Sequence, residues 1–455
     1  MNSLNHYIVE KLGLRKLYRR FELLRNRNFR MHWISSLISM LGDFFLFVAM
    51  PFLVMNLTED RAAIGGVLAV GGIPRALFLL FGGAFSDRFS PLVMMKLSRV
   101  VFCLMLAGMS VLVLLEEVNL LGLYIFSGAM GIIGAFGMPA HMAILPQLVE
   151  REDLAAANAL TGGTTQLISA LAPAIVGVVV LYLSTEPMQA IMSGVWPAIV
   201  DLPKRADMQG IGLAYSIDVM LIIASMWPLW AIRIESEDEP HPVHPGIMDS
   251  IKEGFTYVWE DASLRAFIIY MAITTFVSMG PQMVGMPVLA DERLDGMRSY
   301  GIMMSASGLG AVAGSLLAAA LAPTNRSLGT ILMLLAVVRG ICTFLISRVE
   351  TTTQGVVIMA ILGILMGYSS ILFMTWIQKR VQMAFLGRVM SLVMLSVMGL
   401  QPLSQGFSGW FIDVAGLTSL FVGIGVFMAI TPLVALCSRD IRRMGEPRQL
   451  SRLSS

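Results

Sequence analysis

Charge is scarce in this sequence. Only 14% of its 455 residues are Asp, Glu, Lys or Arg, whereas 56% are apolar; a soluble domain carries roughly 25% charged residues. That shortage excludes a water-soluble globule, which would lack the polar residues to cover its surface, and makes lipid the solvent for most of the chain. Cysteine is nearly absent as well. Cys103, Cys342 and Cys437 lie far apart in apolar stretches without CxxC or Cys/His spacing, which argues against a disulfide framework and a metal site and leaves packing as their role. No G-x-x-x-x-G-K-[ST] loop is present, so ATP-driven pumping has no support. Clustered His, Asp or Ser near one interface, as a membrane enzyme needs, is also missing, and no enzymatic activity or cofactor is expected. A net charge of +2 makes no case for nucleic acid. Met1–Arg30 lacks the apolar core of a cleaved leader, so insertion is expected to fall to internal helices.

What is present is a series of long apolar runs. Crossing ~30 Å of hydrocarbon takes about 20 helical residues. Runs of that length stand at 32–56, 62–85, 93–115, 118–146, 155–183 and 211–232, then at 263–290, 299–322, 328–347, 353–375, 389–413 and 416–437. The expected fold is all-α and membrane-integral, with twelve transmembrane helices in two six-helix halves, 31–233 and 263–438. A segment at 1–30, a linker at 234–262 and a tail at 439–455 complete the division. Polar joints punctuate the runs, among them Glu116-Glu117, Asp291-Glu292-Arg293 and Pro323-Thr324-Asn325-Arg326.

Lys and Arg placement orients the chain. With both termini inside, Lys11, Arg15, Arg30, Arg88, Lys96, Arg99, Arg233, Lys252, Lys379, Arg380, Arg388 and Arg439 are among many inner cations. The outer joints hold only Arg61, Lys204, Arg205, Arg293, Arg298 and Arg348. Both termini are therefore expected in the cytoplasm. Leu14, Leu17, Tyr18, Phe21 and Leu24 recur at helical spacing among basic residues, the pattern of an amphipathic helix on anionic lipid; a role as an address or partner site stays open. In the linker, Ile247, Met248, Ile251, Phe255 and Trp259 predict a short helix under the bundle. Ser184 to Gly210 includes Met188–Leu202, apolar yet too short to span, and reads equally as a lid or a surface insertion.

Gly82-Gly83-Ala84-Phe85-Ser86-Asp87-Arg88, followed by Lys96 and Arg99, ends the second run on the inner side. Small residues there permit close helix approach, and Asp87 is placed to cap a neighbouring helix start when that side is closed. Gly83, Asp87, Arg88, Lys96 and Arg99 are thus candidates for an inner gate. Six-plus-six spans with this motif resemble the major facilitator superfamily. Asn28-Phe29-Arg30, Ser39-Met40-Leu41-Gly42-Asp43, Leu145-Pro146-Gln147-Leu148-Val149 and Ile251-Lys252-Glu253-Gly254-Phe255 resemble its bacterial enterobactin-exporter and macrolide-efflux branch. The resemblance implies proton-coupled efflux, by antiport across the bacterial inner membrane, of a small amphipathic molecule such as a drug, siderophore or metabolite. The alternative is import or facilitated movement of a small metabolite or lysophospholipid. A monomer with substrate, protons and membrane lipid as partners is expected. Antiporters of that superfamily carry a Gly-Pro-rich motif in the fifth span; here Pro173 and Gly177 are what remains of it.

Ionisable residues inside spans default to functional candidates because they are costly there. Asp43 and Arg75 fall at similar depths on consecutive helices. One reading has Asp43 take up a proton as Arg75 is displaced; the other is a permanent ion pair joining the two spans. His141, beside Pro139, is a further proton-coupling candidate. Asp218 and Arg339, in every-third helices that the resemblance makes peripheral, are expected in structural pairs. Met279, Met283 and Met286 offer an adaptable wall for apolar ligands.

Overall fold

The computed structural model describes residues 23–88, 90–150, 152–183, 206–233, 247–321 and 328–437. The 14–21 portion of the basic amphipathic helix, the Met188–Leu202 stretch, the Pro323–Arg326 joint and the tail after 438 lie outside them. Twelve long helices follow in order. They are α1 (Arg27–Leu57), α2 (Ala62–Arg88), α3 (Pro91–Leu114), α4 (Leu120–Leu148), α5 (Leu154–Leu183) and α6 (Ala206–Trp230), then α7 (Ala262–Arg293), α8 (Gly296–Ala320), α9 (Leu328–Ile346), α10 (Thr352–Arg380), α11 (Met383–Ala415) and α12 (Leu417–Cys437). Ten of them are long and apolar enough, over described residues, to cross a membrane. The other two are α2, whose described apolar portion is Ala62–Phe78, and α11, which carries buried Ser404, Gln405 and Ser408. Because successive helices reverse direction, the start of α1 and the end of α12 share one side of the bundle, the near side.

Several helices extend past the apolar runs that announce them, since a helix continues into the interface wherever its ends find caps. Asn26 caps α1 by accepting from Phe29 N at 3.1 Å, and its amide nitrogen donates to Leu148 O at 2.9 Å, tying the start of α1 to the end of α4. Thr351 and Gln354 form a reciprocal capping box on α10. Asp291-Glu292-Arg293, expected as a joint, is the last turn of α7; the chain turns just beyond it, where Gly296 adopts φ 57°. A short helix, Ile247–Glu260, precedes α7 and packs under α11, with Tyr257 stacked on Phe385 at 4.6 Å. Asp261 then caps α7 and receives both Nε and Nη2 of Arg380, each at 2.9 Å, pinning the end of α10 to the start of α7.

Glycines set how closely the helices approach. Gly310 and Gly314 of α8 face Ala360 and Ile364 of α10, while Gly363 and Gly367 face Ser307 and Ala311 in return. A Cβ at any of these would collide with a backbone carbonyl of the neighbour, so the two helices run nearly in backbone contact. Leu104, Leu121, Met220 and Trp227 are each more than half exposed, on outward faces where lipid replaces a protein neighbour. In α7 the helix widens into a π turn, Pro281–Gly285. Pro281 has no N–H to give, and Gly280 N donates instead to Ser404 Oγ of α11 at 2.7 Å, while the Ser404 hydroxyl donates to Phe276 O.

Candidate functional site

The first site is built on the buried face of α1. His32, Ser35, Ser39 and Gly42 recur three or four residues apart and are all buried, which places them in one stripe, with Asp43 at its edge. Each finds a different neighbour. Ser35 donates to Ser225 O of α6 at 2.8 Å, and Arg99 of α3 donates to Ser39 Oγ. The His32 ring lies 4.9 Å from that of His141 in α4, tilted by 37°. Gly42 admits α6: a Cβ there would strike the Asp218 carboxylate, with Leu221 Cβ 3.3 Å away.

Asp43 and Asp218 therefore converge on either side of Gly42, and Arg99 acts electrostatically on both. Ser39, which receives the Arg99 guanidinium, is one helical turn from Asp43. Asp43 senses Arg99 first and Arg75 second. Asp218 is fully buried, and neither of its carboxylate oxygens has a hydrogen-bond partner among the described residues; His32 Nδ1 is likewise unpartnered. Insertion scales charge about 2.5–3.5 kcal/mol for such a residue at the middle of a helix. Two carboxylates thus share one close arginine, a charge deficit that a proton or a more distant cation can fill.

This geometry revises the expected Asp43–Arg75 pair. Both side chains are exposed, but among the described residues they form no ion pair. Arg75 Nη2 instead lies 3.7 Å from Met138 Sδ of α4. Arg99, assigned from sequence to the inner gate, exerts the larger charge effect on Asp43. Lys96, its companion in that motif, sits over the Trp230 ring of α6 at 5.8 Å. Gly83, Asp87 and Arg88 belong to the last turns of α2, and their side chains lie outside the described residues. Asp218 and Arg339, expected in structural pairs, make no ion pair among the described residues. His32 is the residue that sequence reasoning misses here, and Asp218 is the one it assigns to a structural pair instead of to this site. The spacing of His32, Ser35, Ser39 and Gly42 was the available signal, because a polar stripe on an apolar helix must face protein.

Pro173 and Gly177 lie on a seam between α5 and α8. Gly177 packs on Met297 O, a Cβ there meeting it at 3.0 Å, and Gly301 packs on Pro173 O. Ser305 Oγ accepts from Ala174 N at 2.7 Å, satisfying backbone next to the proline. A second seam joins α2 and α11, with Gly65 against Gln405 and Gly409 and with Gly72 against Pro402. Arg61 at the start of α2 pairs with Glu292 at the end of α7, 3.4 Å apart. These described contacts between α1–α6 and α7–α12 cluster toward the side opposite the near side.

A cavity of about 360 Å³ lies within α7–α12. Met279 and Met286 line it and Met283 does not; Arg339 of α9 also faces it. The described residues contain no group of three or more His, Cys, Asp or Glu arranged to hold a metal ion.

A family model described as Major Facilitator Superfamily matches residues 33–403. Enterobactin exporter EntS of Shigella boydii serotype 18 is 26% identical over 361 residues, 79% of this chain and 79% of that protein. The exporter of the same name from Escherichia coli O1:K1 is 25% identical over the same shares. Among solved structures, a bacterial homologue of the human lysosomal transporter Spinster, inward-facing and occupied, superposes with a TM-score of 0.67 at 14% identity. That match covers 94% of this chain and 97% of the other. The nucleoside transporter NupG gives 0.67 at 12% identity, over 90% and 98%.

Proposed function

This chain belongs to the Major Facilitator Superfamily and is a multi-pass membrane transporter, and from that premise we propose that it exports a small amphipathic molecule in exchange for protons. The observation that carries the reading is the mid-membrane set of Asp43, Asp218 and Arg99, in which Asp43 alone of the two carboxylates is exposed. Asp43 is the proton acceptor and Arg99 the cation that holds its charge when the proton leaves. Asp218 keeps the local charge short of balance, so a proton arriving at Asp43 changes which helix Arg99 favours. Arg75, across the same space, is the second cation able to take up the released carboxylate. His32 and His141 stand near Arg99 and extend the path toward the near side.

Export fits two further facts. Relatives matched over 79% of this chain bear the name enterobactin exporter. Most of the Lys and Arg fall in segments that adjoin the near side, which supports reading that side as cytoplasmic, at the inner membrane of a bacterium. The described seams close the opposite side, so substrate is received from the cytoplasm before the two six-helix groups rock about it. The inner-gate motif at Gly83, Asp87 and Arg88 belongs to the outward-open half of that cycle.

Everted membrane vesicles test the coupling. Energised vesicles carrying the wild type should alkalinise their lumen when a transported substrate is added, and Asp43→Asn should abolish that proton movement while leaving substrate counterflow. Asp43→Glu should retain part of it. Proton movement unchanged in Asp43→Asn would remove Asp43 from the coupling role.

A further inference from the structure

Arg339 stands eleven residues into α9, about 16 Å from the near-side end of that helix. Its guanidinium makes no hydrogen bond and no ion pair among the described residues; the hydrogen bond at this position runs from Thr343 Oγ1 to its backbone carbonyl, 3.0 Å. The side chain that acts on it electrostatically is Tyr270 of α7. That hydroxyl is itself buried without a hydrogen-bond partner. Arg339 and Tyr270 line the same 360 Å³ cavity, and no Asp or Glu is among its described lining residues.

A guanidinium carries five N–H donors in a planar fork and stays charged at any working pH. Held at mid-membrane with an unpartnered hydroxyl beside it, it forms a recognition element whose anion is supplied from outside the protein. Much of the remaining wall is soft or aromatic, with Met271, Met333, Met366, Phe267, Phe373 and Phe421 suited to an apolar body, and Thr274, Ser278, Ser369 and Ser370 add hydroxyls among them. Pro281 and Gln282 of the π turn complete one end, and such turns concentrate where helices are shaped for ligands. The volume is at the small end of ligand pockets, which span about 300–1,000 Å³. It suits one or two fused rings or a single short chain and is too small for a two-chain lipid.

We infer that this cavity binds an amphipathic organic anion, with its carboxylate or phosphate on Arg339 and Tyr270 and its apolar body among the methionines and phenylalanines. The site deepens the transport reading by naming a substrate class, and it rests on that reading only for its role in transport; binding itself needs neither export nor protons.

Calorimetry on the full chain in a neutral detergent tests it with three matched probes: 2-naphthoate, 1-naphthyl phosphate and the uncharged 2-naphthamide. At least one anion should bind about tenfold or more tightly than the amide, as expected for hydrogen bonds to a charged group. Arg339→Gln should remove that preference while leaving amide binding unchanged, and Arg339→Lys should keep part of it. Tyr270→Phe should weaken the anions alone. Asp43→Asn should bind all three as the wild type does, so a failed coupling experiment leaves this site standing. Competition by lysophosphatidylglycerol would assign the anion to a lipid head group, and its absence to a free organic acid; both support the site. Failure of both anions to bind, equal binding of anions and amide, or an anion preference that survives Arg339→Gln overturns it. A merely structural Arg339 would lower the binding of anion and amide together, and that outcome also overturns it.

Discussion

Gly42 sits where a Cβ would strike the Asp218 carboxylate and press on Leu221, so Gly42→Ala must either push α6 from α1 or turn Asp218 out of its place. Overpacking a close contact of this kind costs about 1–3 kcal/mol. Thermal unfolding in detergent should show that loss for Gly42→Ala. Combining it with Asp218→Ala, which clears room for the methyl, should give a smaller loss than the sum of the two single changes. Strict additivity would mean that the two residues are not in contact. At this scale the sequence was informative about types of residue and poor about partners. Asp43, Arg75 and His141 stood out as ionisable groups in apolar runs, and their cost in lipid was reason enough to single them out. Which cation meets Asp43 was not legible, because Arg75 and Arg99 lie at comparable depths on different helices and only the packing of α1 against α3 and α6 separates them. Asp218 was read as peripheral from the position of its helix in the resembling fold. The small Gly42 side chain is what brings it inward.

Along whole helices, hydropathy recovered all twelve long elements, since length and apolarity are what a bilayer demands of each. It marked their ends less well: α11 begins at Met383 rather than near 389, and α7 runs on through Asp291-Glu292-Arg293. Caps and interfacial turns decide those ends, and hydropathy is blind to them. The π turn at Pro281–Gly285 was also hidden, because its backbone is satisfied by Ser404 on a helix more than a hundred residues away. The seam of α5 on α8 yields a prediction at this scale. Gly301 packs on Pro173 O with Gly177 behind it, so Gly301→Leu cannot be housed without parting the two helices. A cysteine placed at buried Ser305, in a background with exposed Cys437 replaced, reports on this. Its reaction with a membrane-impermeant maleimide added from the side opposite the near side should accelerate about tenfold or more in Gly301→Leu. An unchanged rate would show that the seam does not close that side.

Across the whole molecule, two kinds of contact join α1–α6 to α7–α12 on the closed side, and they differ in strength. The Arg61–Glu292 ion pair spans 3.4 Å with side chains 24% and 39% exposed. Exposed pairs of this kind contribute about 0.2–1 kcal/mol and weaken in salt, enough to shift a conformational equilibrium by no more than about fivefold. The glycine seams bring backbone against backbone along two helix pairs, so they set the resting preference while the ion pair trims it. Arg61→Glu should therefore raise the Ser305→Cys reaction rate by less than about fivefold, and by still less at high ionic strength. Adding Glu292→Arg should return the rate to its starting value, since the charges are then exchanged rather than opposed. A single reversal as large as the effect of Gly301→Leu would instead make the ion pair the principal latch between the six-helix groups. The ordering of the two effects is the discriminating measurement. It follows from the exposure of the pair and the close approach of the glycines: a transporter that must reopen once per cycle is better served by a wide apolar seam, which parts without stranding a buried charge, than by an ionic lock deep in lipid.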